Sequence, residues 1–215
     1  MAPTTRPWPR FVAEPPRELE PSGRWRAMLE ELFKAACRDV ESDENLGVAG
    51  PITWFPDRTY GVRTFVPARA PTEAGPELFG FVSYTRYQND SDPADFFARA
   101  DYTSETAADN PSWKLDLNDE VIGPWRGPEG TGGELTLVWG TPLVRGAVAA
   151  TAELDEETLD QCQLDEQGRF TLVALDAVSG FGDELYLEIK LWSKSGDLLA
   201  SETLYEDEEE GSGAY

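Results

Sequence analysis

Residues 185–205, LYLEIKLWSKSGDLLASETLY, decide the fold class, because residues 185–192 alternate apolar with more polar side chains and a turn signal follows at Ser195-Gly196-Asp197. The apolar positions of the first half are Leu185, Leu187, Ile189 and Leu191. Successive side chains of a strand point to opposite faces, so this set shares one face. The Ser-Gly-Asp break is typical of a turn. The stretch therefore predicts a half-buried antiparallel hairpin.

The same period of two recurs on the N-terminal side of this hairpin. The further segments rich in β-branched and aromatic residues are 52–55, 60–66, 78–87, 134–139, 144–154 and 169–178. Residues 78–87 carry aromatics on both faces, which predicts a central strand covered on two sides. The chain is therefore predicted to be mainly β (α+β), as an antiparallel β-sandwich or a partly open barrel.

Two helices are predicted beside the strands. Residues 22–40 repeat apolar side chains at helical spacing, with Ser22 as the N-terminal cap. Their apolar face comprises Trp25, Met28, Leu29, Leu32, Phe33, Ala36 and Val40. Asp92 followed by Pro93 is typical of a helix start, and it predicts a short second helix through Arg99. That helix would bury Phe96 and Phe97.

The ends of the chain differ in composition from its middle. Residues 1–21 contain six prolines and predict an extended arm, since proline fixes φ and lacks an N–H donor. Residues 22–205 are predicted to form a single β-rich globular domain, with a possible sub-boundary near the Gly- and Pro-rich loop predicted at 124–133. Residues 206–215, EDEEEGSGAY, predict a disordered acidic tail.

The charge is strongly negative and unevenly spread. The formal net charge is −23, and residues 151–215 hold 18 acidic against three basic residues. Such a field attracts basic surfaces and repels phosphates and anionic lipid. It therefore disfavours direct binding to nucleic acid, which draws its affinity from lysine and arginine. The absence of a long apolar run or a secretory signal predicts a cytoplasmic protein away from membranes.

The residue inventory argues against most catalytic chemistry. Histidine is absent, which excludes Ser-His-Asp and Cys-His catalysis and histidine metal sites. The two cysteines, Cys37 and Cys162, are expected to be free. A carboxylate pair for hydrolysis would be chosen from Asp116, Asp119 and Glu120, near Trp113 and Trp125, but no spacing supports it. The sequence therefore predicts no catalytic constellation, no metal site and no cofactor.

One short motif suggests a different use of the β scaffold. Gly123-Pro124-Trp125, followed by Arg126-Gly127, resembles the Gly-x-Trp that opens the first strand of lipocalin-like barrels. The resemblance implies a binder of apolar ligands.

The function favoured by these observations is non-enzymatic protein–protein interaction, of the inhibitor, immunity, adaptor or assembly-component type. The partner would be a basic protein or a neighbouring copy in a homo-oligomer. The candidate contact residues are Trp8, Phe11, Glu153, Asp155, Glu156, Glu157 and Asp160. The aromatic anchors of the arm, Trp8 and Phe11, either pack on their own domain or dock into a neighbour.

Two alternatives stay open beside the interaction protein. One is a small-molecule or carbohydrate-binding β module, in which Trp113, Trp125, Trp139 and Trp192 would line a pocket. The other is a mimic of nucleic acid, whose carboxylates would be spaced like phosphates along residues 153–160 and 165–166.

Overall fold

The computed structural model describes residues 23–42, 46–86, 92–127, 131–179 and 186–204. The predicted arm, residues 1–21, and the predicted tail, residues 206–215, lie outside these ranges. Within the described residues one helix and twelve strands follow in order: α1 (Gly23–Arg38), β1 (Thr53–Trp54), β2 (Arg58–Tyr60), β3 (Arg63–Pro71), β4 (Glu77–Thr85), β5 (Ala94–Thr103), β6 (Leu115–Arg126), β7 (Gly132–Pro142), β8 (Ala147–Leu154), β9 (Glu157–Gln163), β10 (Phe170–Ser179), β11 (Leu187–Ser193) and β12 (Leu198–Thr203).

The strands form three antiparallel sheets, which confirms the predicted mainly β fold. The first sheet has the order β1-β3-β4-β5, with β2 also paired to β3. The second sheet is β10-β7-β6 and the third is β12-β11-β8-β9. The hairpin predicted from residues 185–205 is present as β11 and β12, and Leu187, Ile189 and Leu191 are all buried.

Helix α1 covers one face of the first sheet, as its apolar periodicity predicts. Leu29 and Phe33 are fully buried. The rings of Trp25 and Tyr84 pack edge-to-face, with their centroids 4.9 Å apart. Position 22, the predicted cap, lies outside the described residues. No helix in the described ranges is long and apolar enough to cross a membrane.

The opposite face of the first sheet joins the main core. Phe65 and Phe81 belong to the same buried cluster as Leu137 of the second sheet and Ile189 of the third sheet. Strand β4 is thus covered on both sides, as its aromatic residues predict, because Val82 faces α1 while Phe81 faces the other two sheets.

The second predicted helix, from Pro93 to Arg99, is wrong, since this segment lies in strand β5. Its side chains also fit a period of two, in which Phe96 packs under α1 and Phe97 points to the other face. Pairing with the otherwise free edge of β4 gives the segment backbone partners on one side from Ala94 onward, and this outweighs the local start signal of Asp92 and Pro93.

The loop predicted at residues 124–133 is also shorter than expected. Strand β6 runs through Pro124 to Arg126, and Trp125 pairs with Gly133 of β7. An edge strand tolerates proline because its outer N–H positions have no ladder partner to lose. The Gly123-Pro124-Trp125 motif therefore lies near the end of β6 and not at the opening of a first strand.

Candidate functional site

The candidate site is a groove between the first sheet and β6, the edge strand of the second sheet. Two ion pairs cross the groove: Arg69 of β3 contacts Asp116, and Arg99 of β5 contacts Glu120 at 3.0 Å. Positions 116 and 120 of β6 therefore face the first sheet. Asn118 lies between them and shares their face, because side chains of a strand alternate with a period of two.

The groove contains two cavities, which differ in chemistry. The acidic compartment, of about 240 Å³, is lined by Glu77, Phe79, Thr103, Glu105, Trp113, Asp116, Leu117, Asn118 and Asp119. The apolar compartment, of about 550 Å³, is lined by Arg63, Phe65, Phe81, Ser83, Phe97, Arg99, Val121, Ile122, Gly123, Pro124 and Glu134. Glu120 stands between them along β6, since Asp119 lines the first cavity and Val121 lines the second.

The acidic compartment holds more carboxylates than the guanidinium of Arg69, its cation among the described residues, can pair with. Nη1 of Arg69 contacts the carboxylate of Asp116 and lies 3.5 Å from Oε1 of Glu77. Burial raises the pKa of Glu77, and the negative charge of Asp116 raises it further, while Arg69 opposes both effects. The exposed Glu105 lines the same cavity. A second cation would therefore be favoured here.

Asn118 adds an independent sign of a ligand in this compartment. Its side chain is only 7% exposed, and its Oδ1 atom has no hydrogen-bond partner among the described residues. An unsatisfied buried acceptor costs about 1–3 kcal/mol. A donor group brought by a ligand would remove that cost. Half-buried Trp113 lines the same cavity and offers a ring of the kind that attracts cations.

The apolar compartment is built on three phenylalanine rings of the first sheet. The ring centroids of Phe65 and Phe81 are 5.5 Å apart, and those of Phe81 and Phe97 are 6.1 Å apart. Phe97 is 52% exposed. Arg63 donates a hydrogen bond to Oγ of Ser83 at 2.8 Å, so this guanidinium is held against the cavity wall.

Glu120 stands at the boundary with little access to water. Burial raises its pKa, Arg99 lowers it, and the charges of Asp101 and Asp119 raise it again. The Arg99–Glu120 ion pair thus lies at the boundary between the two compartments.

The acidic run at residues 153–160 is split between surface and interior. Asp155 and Glu156 form the exposed turn between β8 and β9, with φ angles of 52° and 64°, and Glu157 follows at the start of β9. Both turn residues adopt the left-handed conformation of a tight hairpin. We call Asp155, Glu156 and Glu157 the acidic tip. Asp155 and Glu156 are exposed, and Glu157 is half-buried.

Glu153 and Asp160 occupy the interior instead. Glu153 accepts hydrogen bonds from Nζ of Lys190 at 2.6 Å and from Oγ1 of Thr151 at 2.9 Å. Asp160 is 2% exposed and binds the guanidinium of buried Arg58. Both carboxylates are thus buried against partners within the fold, and their predicted contact with another protein stays a prediction. Their burial depends on cross-strand partners that the local sequence does not identify.

The remaining predicted residues lie in different parts of the fold or outside the described residues. Trp8 and Phe11 lie outside the described residues. The structure brings Trp113, Asp116 and Asp119 together in the acidic compartment, whereas Glu120 pairs with Arg99. Trp125 and Trp139 pack in or against the main core, and Nε1 of Trp192 donates to Oγ1 of Thr151 at 2.8 Å.

Sequence reasoning missed Glu77, Asn118 and the phenylalanine-lined cavity. Glu77 lies on β4 and Asn118 on β6, so only the packing of two sheets brings them together. No spacing in the sequence encodes that contact. Comparison with protein-family models, with curated proteins and with solved structures found no match, so the candidate site rests on this geometry alone.

Proposed function

We propose that this chain is a non-enzymatic protein-interaction module that binds a basic partner surface, and that the acidic compartment receives one lysine or arginine side chain of that partner. The observation that carries the proposal is the surplus of carboxylates around Arg69, beside the unsatisfied Oδ1 of Asn118. A guanidinium or ammonium group supplies both the charge and the N–H donors that these groups lack.

The size of the compartment supports a side chain as its occupant. Pockets for drug-sized molecules span about 300–1,000 Å³. At about 240 Å³ the acidic compartment falls below that range. The ring of Trp113 would contribute a cation–π contact and the apolar stem would lie against Leu117.

The charge of the whole chain supports the same partner chemistry. A net charge of −23 steers cationic surfaces toward the protein and accelerates their association. The acidic tip adds the exposed carboxylates of Asp155 and Glu156 in the turn between β8 and β9. A pull-down from the source lysate at about 50 mM and about 500 mM salt tests the proposal, because the screening length shortens across that range and weakens attraction between exposed charges. We expect a stoichiometric basic partner that is retained only at low salt.

A second candidate function is a small-molecule-binding β module. The observation that favours it is the apolar compartment, whose volume of about 550 Å³ lies within the usual range for ligand pockets. Its phenylalanine rings and two arginines suit an aromatic anion. A change in tryptophan fluorescence with such molecules, and no basic partner at either salt concentration, would favour this function over the first.

We expect the double variant Glu77→Gln/Glu105→Gln to bind a fluorescein-labelled nona-arginine peptide about tenfold more weakly than the wild type. Each substitution removes a charged acceptor, and charge-assisted hydrogen bonds contribute about 1.5–3 kcal/mol before screening by solvent. Fluorescence anisotropy at about 50 mM salt measures the change. The matched control is Glu31→Gln/Glu166→Gln, which removes the same charge from two exposed positions and should alter affinity less than twofold. Equal losses in both variants would mean that affinity depends only on the net charge, and would contradict the proposed binding site.

Binding of the same peptide is expected to weaken as the pH falls, starting above pH 4.5. Glu77 has its pKa raised above 4.5, chiefly by burial, so it takes up a proton earlier than an exposed glutamate. Protonation removes the negative charge that attracts the guanidinium, so affinity decreases with decreasing pH. Anisotropy titrations from about pH 7 to pH 4 provide the measurement. Glu77→Gln should flatten the upper part of that profile; an unchanged profile in this variant would exclude Glu77 from the site.

A further inference from the structure

We infer that the apolar compartment is the docking site of the chain's own N-terminal arm, with the rings of Trp8 and Phe11 packed against Phe65, Phe81 and Phe97. This inference does not depend on the proposed basic partner, because it concerns the other compartment.

The compartment presents aromatic surface that a covering segment would remove from water. Phe97 is 52% exposed, although its ring lies 6.1 Å from that of Phe81. The guanidinium groups of Arg63 and Arg99 line the same cavity. Each offers a planar cation on which an indole ring can stack.

The arm joins the fold beside β5, on the α1 face of the first sheet. Helix α1 begins at Gly23, and the indole of Trp25 lies 6.1 Å from the ring of Phe96. Phe97, the next residue of β5, lines the apolar compartment on the opposite face of the sheet. Since β5 is the edge of the first sheet in the described residues, the chain has only to pass around that edge.

The intervening chain is long enough to make this passage. Residues 12–22 separate Phe11 from Gly23. At about 3.3 Å per extended residue, this segment spans about 36 Å. A sheet packs about 10 Å from its neighbouring layer, so the path around one edge strand lies well within reach.

The residues of the arm match the compartment in chemistry. Pro7 and Pro9 flank Trp8 and lack N–H donors, so an extended segment there needs few backbone partners when it covers an apolar surface. Arg10 stands between the two aromatic anchors. Glu134 is exposed on β7 and lines the compartment, so it offers Arg10 a carboxylate.

Disulfide trapping in the full-length chain tests the inference. The variant Arg10→Cys/Glu134→Cys keeps all the aromatic anchors and places a thiol on each side of the proposed contact. The native thiols interfere little, since burial raises the pKa of Cys37 to about 11 and that of Cys162 to about 12. The matched control is Arg10→Cys/Leu198→Cys, because Leu198 is 51% exposed and lies on β12 of the third sheet.

We expect the Arg10/Glu134 pair to form an intramolecular disulfide at least about tenfold faster than the Arg10/Leu198 pair, as judged by mobility in non-reducing gels and by mass. Adding Trp8→Ala and Phe11→Ala to the first pair should slow the reaction to the rate of the control. Equal rates in the two pairs would overturn the inference, since they would describe an arm that samples the whole surface. A cross-linked dimer would also overturn it, because the occupant would then be the arm of a second copy.

Discussion

Replacing Asp160 with alanine is expected to lower the free energy of unfolding by about 3–5 kcal/mol, because it leaves the charge of Arg58 buried without a partner. The side chains of Arg58 and Asp160 are 4% and 0% exposed, so the guanidinium left behind would have little contact with bulk water. We expect this substitution to have a larger effect on stability than Gly80→Ala.

The effect should be large because one carboxylate connects all three sheets. Asp160 lies on β9 of the third sheet, binds Arg58 of β2 in the first sheet, and accepts the backbone N–H of Val173 on β10 in the second sheet at 2.9 Å. Arg169, a second buried arginine, also joins separate segments of the chain. It contacts the carbonyl oxygen of Trp54 and pairs with Asp165 at 2.9 Å.

The pKa of Asp160 predicts how stability should change when Arg58 is replaced together with Asp160. Burial raises this pKa despite the opposing charge of Arg58 and three hydrogen bonds. The ionised pair is therefore costly to bury, and removing both charges together should be far less harmful than removing one. A raised carboxyl pKa also means that this group's contribution to stability falls as the pH rises through its folded pKa.

Urea unfolding followed by tryptophan fluorescence measures these changes. Glu157→Ala, on the same strand but only half-buried, is the control and should change stability by less than about 0.5 kcal/mol. The double variant Arg58→Met/Asp160→Leu should recover most of the loss caused by Asp160→Ala. A loss below about 1 kcal/mol for Asp160→Ala would show that the buried pair does not hold the sheets together.

Replacing Gly80 with alanine is expected to cost about 3 kcal/mol, the second-largest effect. Gly80 lies in the middle of β4 with a φ of 154°, a conformation that side chains rarely adopt. A Cβ atom there would overlap the carbonyl oxygen of Arg99 and approach Cα of Ala100 to 2.8 Å. Strained backbone and an overfilled contact each cost about 1–3 kcal/mol.

The neighbouring backbone has little freedom to relieve that overlap. Gly80 pairs with Ala100 in the β4–β5 ladder, and Arg99 is held by its ion pair with Glu120. Gly123→Ala is the control, since a Cβ at Gly123 would meet no atom within 4 Å and should change stability by less than about 0.5 kcal/mol. If Gly80→Ala unfolds at the same urea concentration as Gly123→Ala, the close approach of β4 and β5 would not constrain this position.

Secondary structure that depends on local periodicity could be predicted from the sequence. The hairpin of residues 185–205 and the helix of residues 22–40 each repeat apolar side chains at the spacing of their own element, and both are present. The segment after Pro93 shows where this approach fails. Its local pattern is compatible with a short helix, but the unpaired edge of β4 provides backbone partners that only a strand can use.

The candidate site could be predicted only in part. Trp113, Asp116 and Asp119 are close in the sequence, and the fold keeps them together on one cavity. Glu77 and Asn118 complete that cavity from strands that are separated along the chain, so no local pattern identifies them.

The sequence by itself determined the β-rich class, the helix, the absence of histidine chemistry and the acidic charge, because each follows from composition or from periodicity within one element. Only the tertiary structure decided which carboxylates are exposed and which are buried. Asp155 and Asp160 belong to the same acidic run, yet one lies in an exposed turn while the other binds Arg58, 102 positions away in the chain. The environment of a charged side chain depends on the segments that pack against it, and contacts between distant segments cannot be recognised from the neighbouring residues in the sequence.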